Sequence, residues 1–175
     1  MRILLAGLLF WGLALGQAVV KGLTPAEVEG ILKQAGLAYE KTDAQEFRLE
    51  MAGLTKVWLY LDFCQEGRCG VLTLSAGFTL DEVPDLEAVN AWNRDRRFSR
   101  AFLDEEGTVW VESDLDLTGG VSLGAVRAFL DLFAEEILPD FMDHIGFNRT
   151  LPTSPFRGKS PLAGAARIWY RGSPR

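Results

Sequence analysis

The chain has 175 residues, room for one ordinary domain with tails, and its 48% apolar and 24% charged residues mark a globular protein rather than a disordered one. A chain of this size buries roughly two-thirds of its unfolded surface, so folding requires neither a metal nor a disulfide. The formal net charge of −6 argues against nucleic acid, which selects a basic stripe, and against purely electrostatic attachment to an anionic membrane.

Met1-Arg2 supplies a short positive start, and Ile3 to Leu15 is an apolar run. Small residues at Ala14, Gly16 and Ala18 suit signal-peptidase cleavage after Ala18, with Gly16 as the alternative. The run is shorter than the ~20 residues of a membrane span, which disfavours an uncleaved anchor helix. No cysteine stands at the cleavage point to carry a lipid. Residues 1–18 are therefore expected to be a signal peptide, and the mature protein to be periplasmic or secreted with no stable membrane span.

Thr24-Pro25-Ala26-Glu27 reads as a helix start: Thr24 caps, Pro25 fits the first turn and Glu27 completes a capping box. Val28, Ile31, Leu32 and Ala35 form one stripe, and Gly36 ends the helix.

From Tyr39 to Ala76 the period changes to two. Phe47 to Met51 alternates, Gly53 turns the chain, and Val57, Leu59, Leu61 and Phe63 form one face of the next strand. Leu72, Leu74 and Ala76 form one face of the following strand, across the loop Gln65-Glu66-Gly67-Arg68. With Cys64 opposite Cys69, Leu61 faces Leu72, Leu59 faces Leu74 and Val57 faces Ala76. Cysteine pairing and hydrophobic register agree, and a one-residue slip breaks both.

A second helix is expected from Pro84 to Arg96, with Leu86, Val89 and Asn93 on one face. Phe98 to Leu103 and Thr108 to Leu117 form a second hairpin around Asp104-Glu105-Glu106-Gly107. Its inward row is Val109, Val111, Leu115 and Leu117; Glu112, Asp114 and Asp116 point outward. Gly119-Gly120 breaks the strand, and Ser122 caps a last helix. The stripe of that helix is Leu123, Val126, Phe129, Leu130, Phe133 and Ile137, and Pro139 kinks or restarts it. Beyond Gly146, prolines, glycines and arginines replace periodicity, so 146–175 is expected to be a loose tail after a domain over 19–145. The order α-β-β-β-α-β-β-α gives an α+β fold, with helices packed on one face of an antiparallel sheet of about five strands.

This order, together with Asn90-Ala91-Trp92-Asn93 and then Phe98, Asp104, Gly107, Asp114 and Gly119-Gly120, resembles the YbjN family of bacterial sensory-transduction regulators. The resemblance covers roughly Leu23 to Phe141, and the Cys64-to-Cys69 loop looks like a cysteine-bearing hairpin of many relatives. It implies a fold like the type III secretion chaperones and a non-enzymatic binding or chaperone-like role, with no catalytic residues to carry over. The export leader departs from the cytoplasmic relatives and argues against cytoplasmic signalling here.

The chemistry-bearing residues have plain readings. His144, the single histidine, lacks a nucleophile beside it in sequence and reads as a helix-end residue. Two cysteines cannot close a structural zinc site, so no metal and no cofactor is expected. CxxxxC across a hairpin is not a CxxC at a helix start, and in an oxidising compartment it reads as a structural disulfide. Asn90 and Asn93 share a helix face; the structural reading has their amides bonding exposed backbone where helix meets sheet, with Trp92 packed beside them, against paired amides reading a ligand. Arg94, Arg96, Arg97 and Arg100 face the acidic row as ordinary cross-strand pairs, or form an anion site. Asn148-Arg149-Thr150 matches a glycosylation sequon by coincidence.

The most informative feature is the face opposite the core. Trp58, Tyr60, Asp62, Val71, Thr73 and Ser75 point away from the helices, and a free antiparallel face is normally polar. Trp58 and Tyr60 there mark a covered surface, and with Thr73 and Ser75 they are the candidate partner-binding residues. The cover is either a protein or peptide partner, including a second copy in a homodimer, or tail residues such as Ile168, Trp169 and Tyr170. The function expected is an exported, non-catalytic module that recognises a protein or peptide. Its rivals are a small envelope hydrolase, which needs convergent polar residues in a pocket, and a carrier of an apolar ligand, which needs an apolar cavity.

Overall fold

The computed structural model describes residues 19–147. The expected leader, the sequon and the tail residues Ile168, Trp169 and Tyr170 lie outside the described residues. The described elements begin with β1 (Val19–Val20), α1 (Pro25–Ala35), β2 (Tyr39–Asp43), β3 (Glu46–Met51), β4 (Leu54–Gln65) and β5 (Arg68–Phe78). They continue with α2 (Leu86–Asp95), β6 (Arg100–Leu103), β7 (Val109–Asp116), β8 (Val121–Ser122) and α3 (Leu123–Leu132). A π-helical turn, Phe133–Ile137, leads into α4 (Leu138–His144).

Local chemistry starts the helices where the sequence says it should. The Thr24 hydroxyl accepts the Glu27 N–H at 3.2 Å, while the Glu27 carboxylate accepts the Thr24 N–H at 2.8 Å. Gly36 closes α1 in the left-handed region at φ 68°. Asp85 caps α2 through the Ala88 N–H at 2.8 Å, and Ser122 caps α3 through the Ala125 N–H at 3.1 Å. Such caps are worth about 1 kcal/mol each. Pro139 does not end the last helix. It sits in the first turn of α4, restarting the helix after a π-turn in which the Leu138 N–H donates to the Phe133 carbonyl.

The fold is α+β, built on a six-stranded antiparallel sheet in the order β2-β3-β4-β5-β7-β6. The sixth strand is β2, an edge strand whose residues after Tyr39 are exposed, so it carries no alternation from which to read it. β1 and β8 form a separate two-stranded ribbon. The β4–β5 register is as expected: Val57, Leu59, Leu61 and Cys64 face Ala76, Leu74, Leu72 and Cys69. The inner rows of β3, β4, β5 and β7 share one buried core with Val28, Leu32, Val89, Trp92, Phe133 and Phe141 from the helices.

Three expected core positions are corrected. Phe63 is 81% exposed and adopts φ 53°. Gly70 lies across from it in the register, and the Thr118 methyl packs where a Gly70 side chain would stand, so that end of the inner row is already filled. Leu86 is 65% exposed, and Val89 and Trp92 anchor α2 instead. Leu123 is 42% exposed at the first position of α3, before the helix has turned onto the core.

Candidate functional site: the outer sheet face

Register assembles the outer face from all six strands of the sheet. One row runs Glu40, Arg48, Trp58, Ser75, Glu112, Arg100 across the whole sheet. The next holds Glu46, Tyr60, Thr73 and Asp114, and the one beyond it Asp62, Val71 and Asp116. On the other side lie Gly77, Trp110 and Phe102. Trp58, Tyr60, Trp110 and Phe102 take no part in the core that the helices share with the inner rows.

β5 carries only small outward residues from Thr73 to Gly77, and its neighbours carry large ones. The result is a trough: Ser75 is 1% and Thr73 9% exposed at its floor. One wall is Trp58 stacked on Tyr60, with centroids 6.4 Å apart and planes 18° off parallel. The opposite wall is Trp110, Glu112 and Asp114 on β7. The backbones of the two flanking strands stand two strand spacings apart, roughly 9.6 Å, with β5 between them.

The Trp110 ring closes one end of the trough. Its atoms come within 2.8 Å of where a Gly77 Cβ would be, so only glycine lets the indole lie across β5. Phe102 stacks on Trp110 at 6.4 Å and 13°, and the indole N–H donates to Asp104 at 2.7 Å. The other end opens past Val71 between Asp62 and Asp116.

Polar groups fix the floor and leave negative charge around it. The Thr73 hydroxyl lies 2.8 Å from Asp114 Oδ1 and 3.2 Å from Asp62 Oδ2, bridging carboxylates of β7 and β4 with its single proton. Ser75 donates to Glu112 at 3.1 Å, and Arg100 holds the other Glu112 oxygen at 2.6 Å. This serine is buried and its carboxylate is already paired, so the two lock the floor rather than form a nucleophile and base. Burial, followed by the charges of Glu46, Glu112 and Asp62, pushes the Tyr60 phenol above its ordinary value. Arg48 pairs with Glu40 at the β2 edge. Glu46, Asp62, Asp114 and Asp116 face no arginine or lysine in the ion pairs of the described residues.

The remaining sequence candidates lie elsewhere. The Cys64 and Cys69 sulfurs are 2.06 Å apart, with Cα atoms at 3.9 Å, at the tip of the β4–β5 hairpin, where Cys69 also exchanges backbone hydrogen bonds with Leu23. Asn93 bonds backbone as expected, through both polar groups of Ala101; Asn90 is exposed and does not join it. Trp92 is buried, packs edge-on to Phe141 at 4.8 Å, and donates to Ser99. Asp104 and Gly107, at φ 82°, shape the β6–β7 turn. His144 bonds the Ala88 carbonyl at 2.8 Å and lies against Trp92. Of the four arginines, Arg100 alone meets the acidic row. Arg94 pairs with Glu87 and Asp95, Arg96 pairs with Asp140 and stacks on Trp92, and Arg97 is exposed. Trp110, Phe102 and Gly77 were missed as members of the outer face. Extending the row of Glu112 two residues back along β7 reaches Trp110 and was the available signal.

The sequence profile of the YbjN family, described as "Putative bacterial sensory transduction regulator", matches residues 24–146. The chain belongs to the YbjN family. No curated protein matches it. The YbjN match spans α1 through α4, so it includes every strand of the main sheet and both walls of the trough. Of the residues that carried the YbjN resemblance, Trp92, Asn93, Asp104 and Gly107 hold the scaffold, and Asp114 faces the trough.

Proposed function

We propose that this YbjN-family protein is an exported, non-catalytic binding module whose outer sheet face recognises an extended segment of a protein or peptide. The observation that carries this reading is the trough along β5, with an aromatic pair on one wall and carboxylates on the other. Flat aromatic surface gives contact area at little conformational cost, and unpaired carboxylates select basic residues. The ligand chemistry that fits is therefore an extended segment with arginine or lysine beside aromatic residues. The family's description as a regulator accords with recognition rather than turnover.

The test replaces Trp58 and Tyr60 with serine. Both lie outside the shared core, so the variant should melt within a few degrees of the parent. Loss of two anchors at an interface costs about 2 kcal/mol or more, a thirtyfold or larger drop in affinity. On an array of extended peptides, the parent should select basic-aromatic sequences and the variant should not. Equal binding by a folded double variant would move recognition off this face. Export is tested separately by N-terminal sequencing of protein from its native host, which should begin at Val19. A product retaining Met1 would overturn it.

A further inference from the structure

Charge is divided sharply along this chain. All 24 Asp and Glu residues precede residue 148, whereas 148–175 carries Arg149, Arg157, Lys159, Arg167, Arg171 and Arg175. Within that stretch, Arg167 and Arg171 bracket Ile168-Trp169-Tyr170. This is the ligand chemistry the trough selects: aromatic rings for Trp58 and Tyr60, guanidinium groups for Asp62, Asp114 and Asp116.

The point where the chain leaves the described structure makes the contact reachable. The Phe147 ring packs against Phe78 at 5.0 Å, and Phe78 is the last residue of β5. From Phe78 to Val71 the strand runs about 24 Å at ~3.4 Å per residue. Eighteen residues separate Phe147 from Ala165, and an extended chain of that length spans up to about 60 Å, while residues 165–171 extended span about 20 Å and fit within the trough. The segment can therefore pass around the end of the sheet and lie along the trough without disturbing the core.

Resting on the reading of this face as a recognition surface, we propose that segment 165–171 of this chain occupies the trough in cis and competes with any external ligand. A tethered segment acts at an effective concentration on the order of millimolar. An external ligand must then either carry more basic-aromatic contacts than the segment or draw it away, and the module binds selectively for that reason.

Zero-length carbodiimide cross-linking of the full mature chain bearing Arg171→Lys tests the contact, because position 171 then supplies an amine and Asp62, Asp114 and Asp116 the carboxylates. A mixture of 15N-labelled and unlabelled protein should give links from position 171 to these carboxylates within one isotopic species only. A tail variant with Arg167→Glu and Trp169→Ser added, neither of them in the described domain, should abolish the links. That tail variant should also bind a synthetic 165–171 peptide at least tenfold more tightly than the parent does. Links between isotopic species would make the occupant a second copy and overturn cis docking. Absence of links, with equal peptide affinity for parent and tail variant, would overturn cis docking while leaving the face as a recognition surface. Failure of the peptide to bind the tail variant at all would overturn both.

Discussion

The Asn93 side chain donates to the Ala101 carbonyl at 2.9 Å and accepts the Ala101 N–H at 2.7 Å, so one amide on α2 acts as a strand neighbour for the edge strand β6. An open edge is a template for unwanted pairing, and this contact closes the middle of β6. Asn93→Ala should destabilise the protein by about 1–3 kcal/mol, because both backbone groups of Ala101 lose their partner. Asn93→Asp keeps the acceptor but sets a carboxylate against a carbonyl and should do no better. Urea unfolding measures the loss, and faster amide exchange at Ala101 locates it. Unchanged exchange there would mean that water replaces the amide without cost.

Gly77→Ala probes the closed end of the trough. The added methyl would stand within 2.8 Å of the Trp110 ring, so the indole must lift off β5 or the strand must shift. Overpacking of this kind costs about 1–3 kcal/mol. Near-ultraviolet circular dichroism should change as the Trp110–Phe102 stack is disturbed. An unaltered spectrum and melting temperature would show that the ring moves aside freely.

Asp104 gives the β6–β7 turn an acid-side dependence. The Trp110 indole N–H, and then the N–H groups of Thr108, Glu106 and Gly107, hold its carboxyl below the ordinary carboxylate range. A carboxyl with a depressed folded pKa stabilises wherever the unfolded chain is ionised, above about pH 3.9, and that contribution fades as pH falls through the lower folded value. The turn should therefore be insensitive to pH near neutrality and loosen only below about pH 4. The indole N–H resonance of Trp110 should titrate in that acid window, and Asp104→Asn should remove the titration. A midpoint above the ordinary carboxylate value would contradict this assignment.

Cys64 and Cys69 should be bridged in protein taken from its native compartment. Alkylation before reduction should add no mass, and alkylation after reduction should modify both residues. The closed loop is short, so removing the bridge by Cys64→Ser with Cys69→Ser should cost ~2 kcal/mol at most and leave the protein folded. Leu59–Leu74 and Leu61–Leu72 still hold the register. Two alkylated thiols in unreduced native protein would show that the pair is not bridged there.

Features legible in the sequence were those encoded by neighbours along the chain. Alternation at Val57, Leu59 and Leu61 against Leu72, Leu74 and Ala76 determined the hairpin register, because shifting by one residue would turn every one of these side chains to the wrong face. Thr24, Pro25 and Glu27 determined the start of α1, because a cap and its capping box span a single turn. The outward placement of Trp58 and Tyr60 followed from the same alternation.

Tertiary structure alone decided the rest. β2 has no alternation to read, since an edge strand of exposed residues buries neither face. Phe63 belonged by period to the core row, but the crowding of Gly70 by Thr118, from a segment more than forty residues onward, accompanies its turn to solvent. The trough exists only because β5 pairs with β7 as well as β4, which sets Trp110 over Gly77 and brings Asp114 to Thr73. Local periodicity says which face a residue takes. It does not say which distant strand will lie beside it, and that is settled by how the buried rows of all the strands and helices pack together.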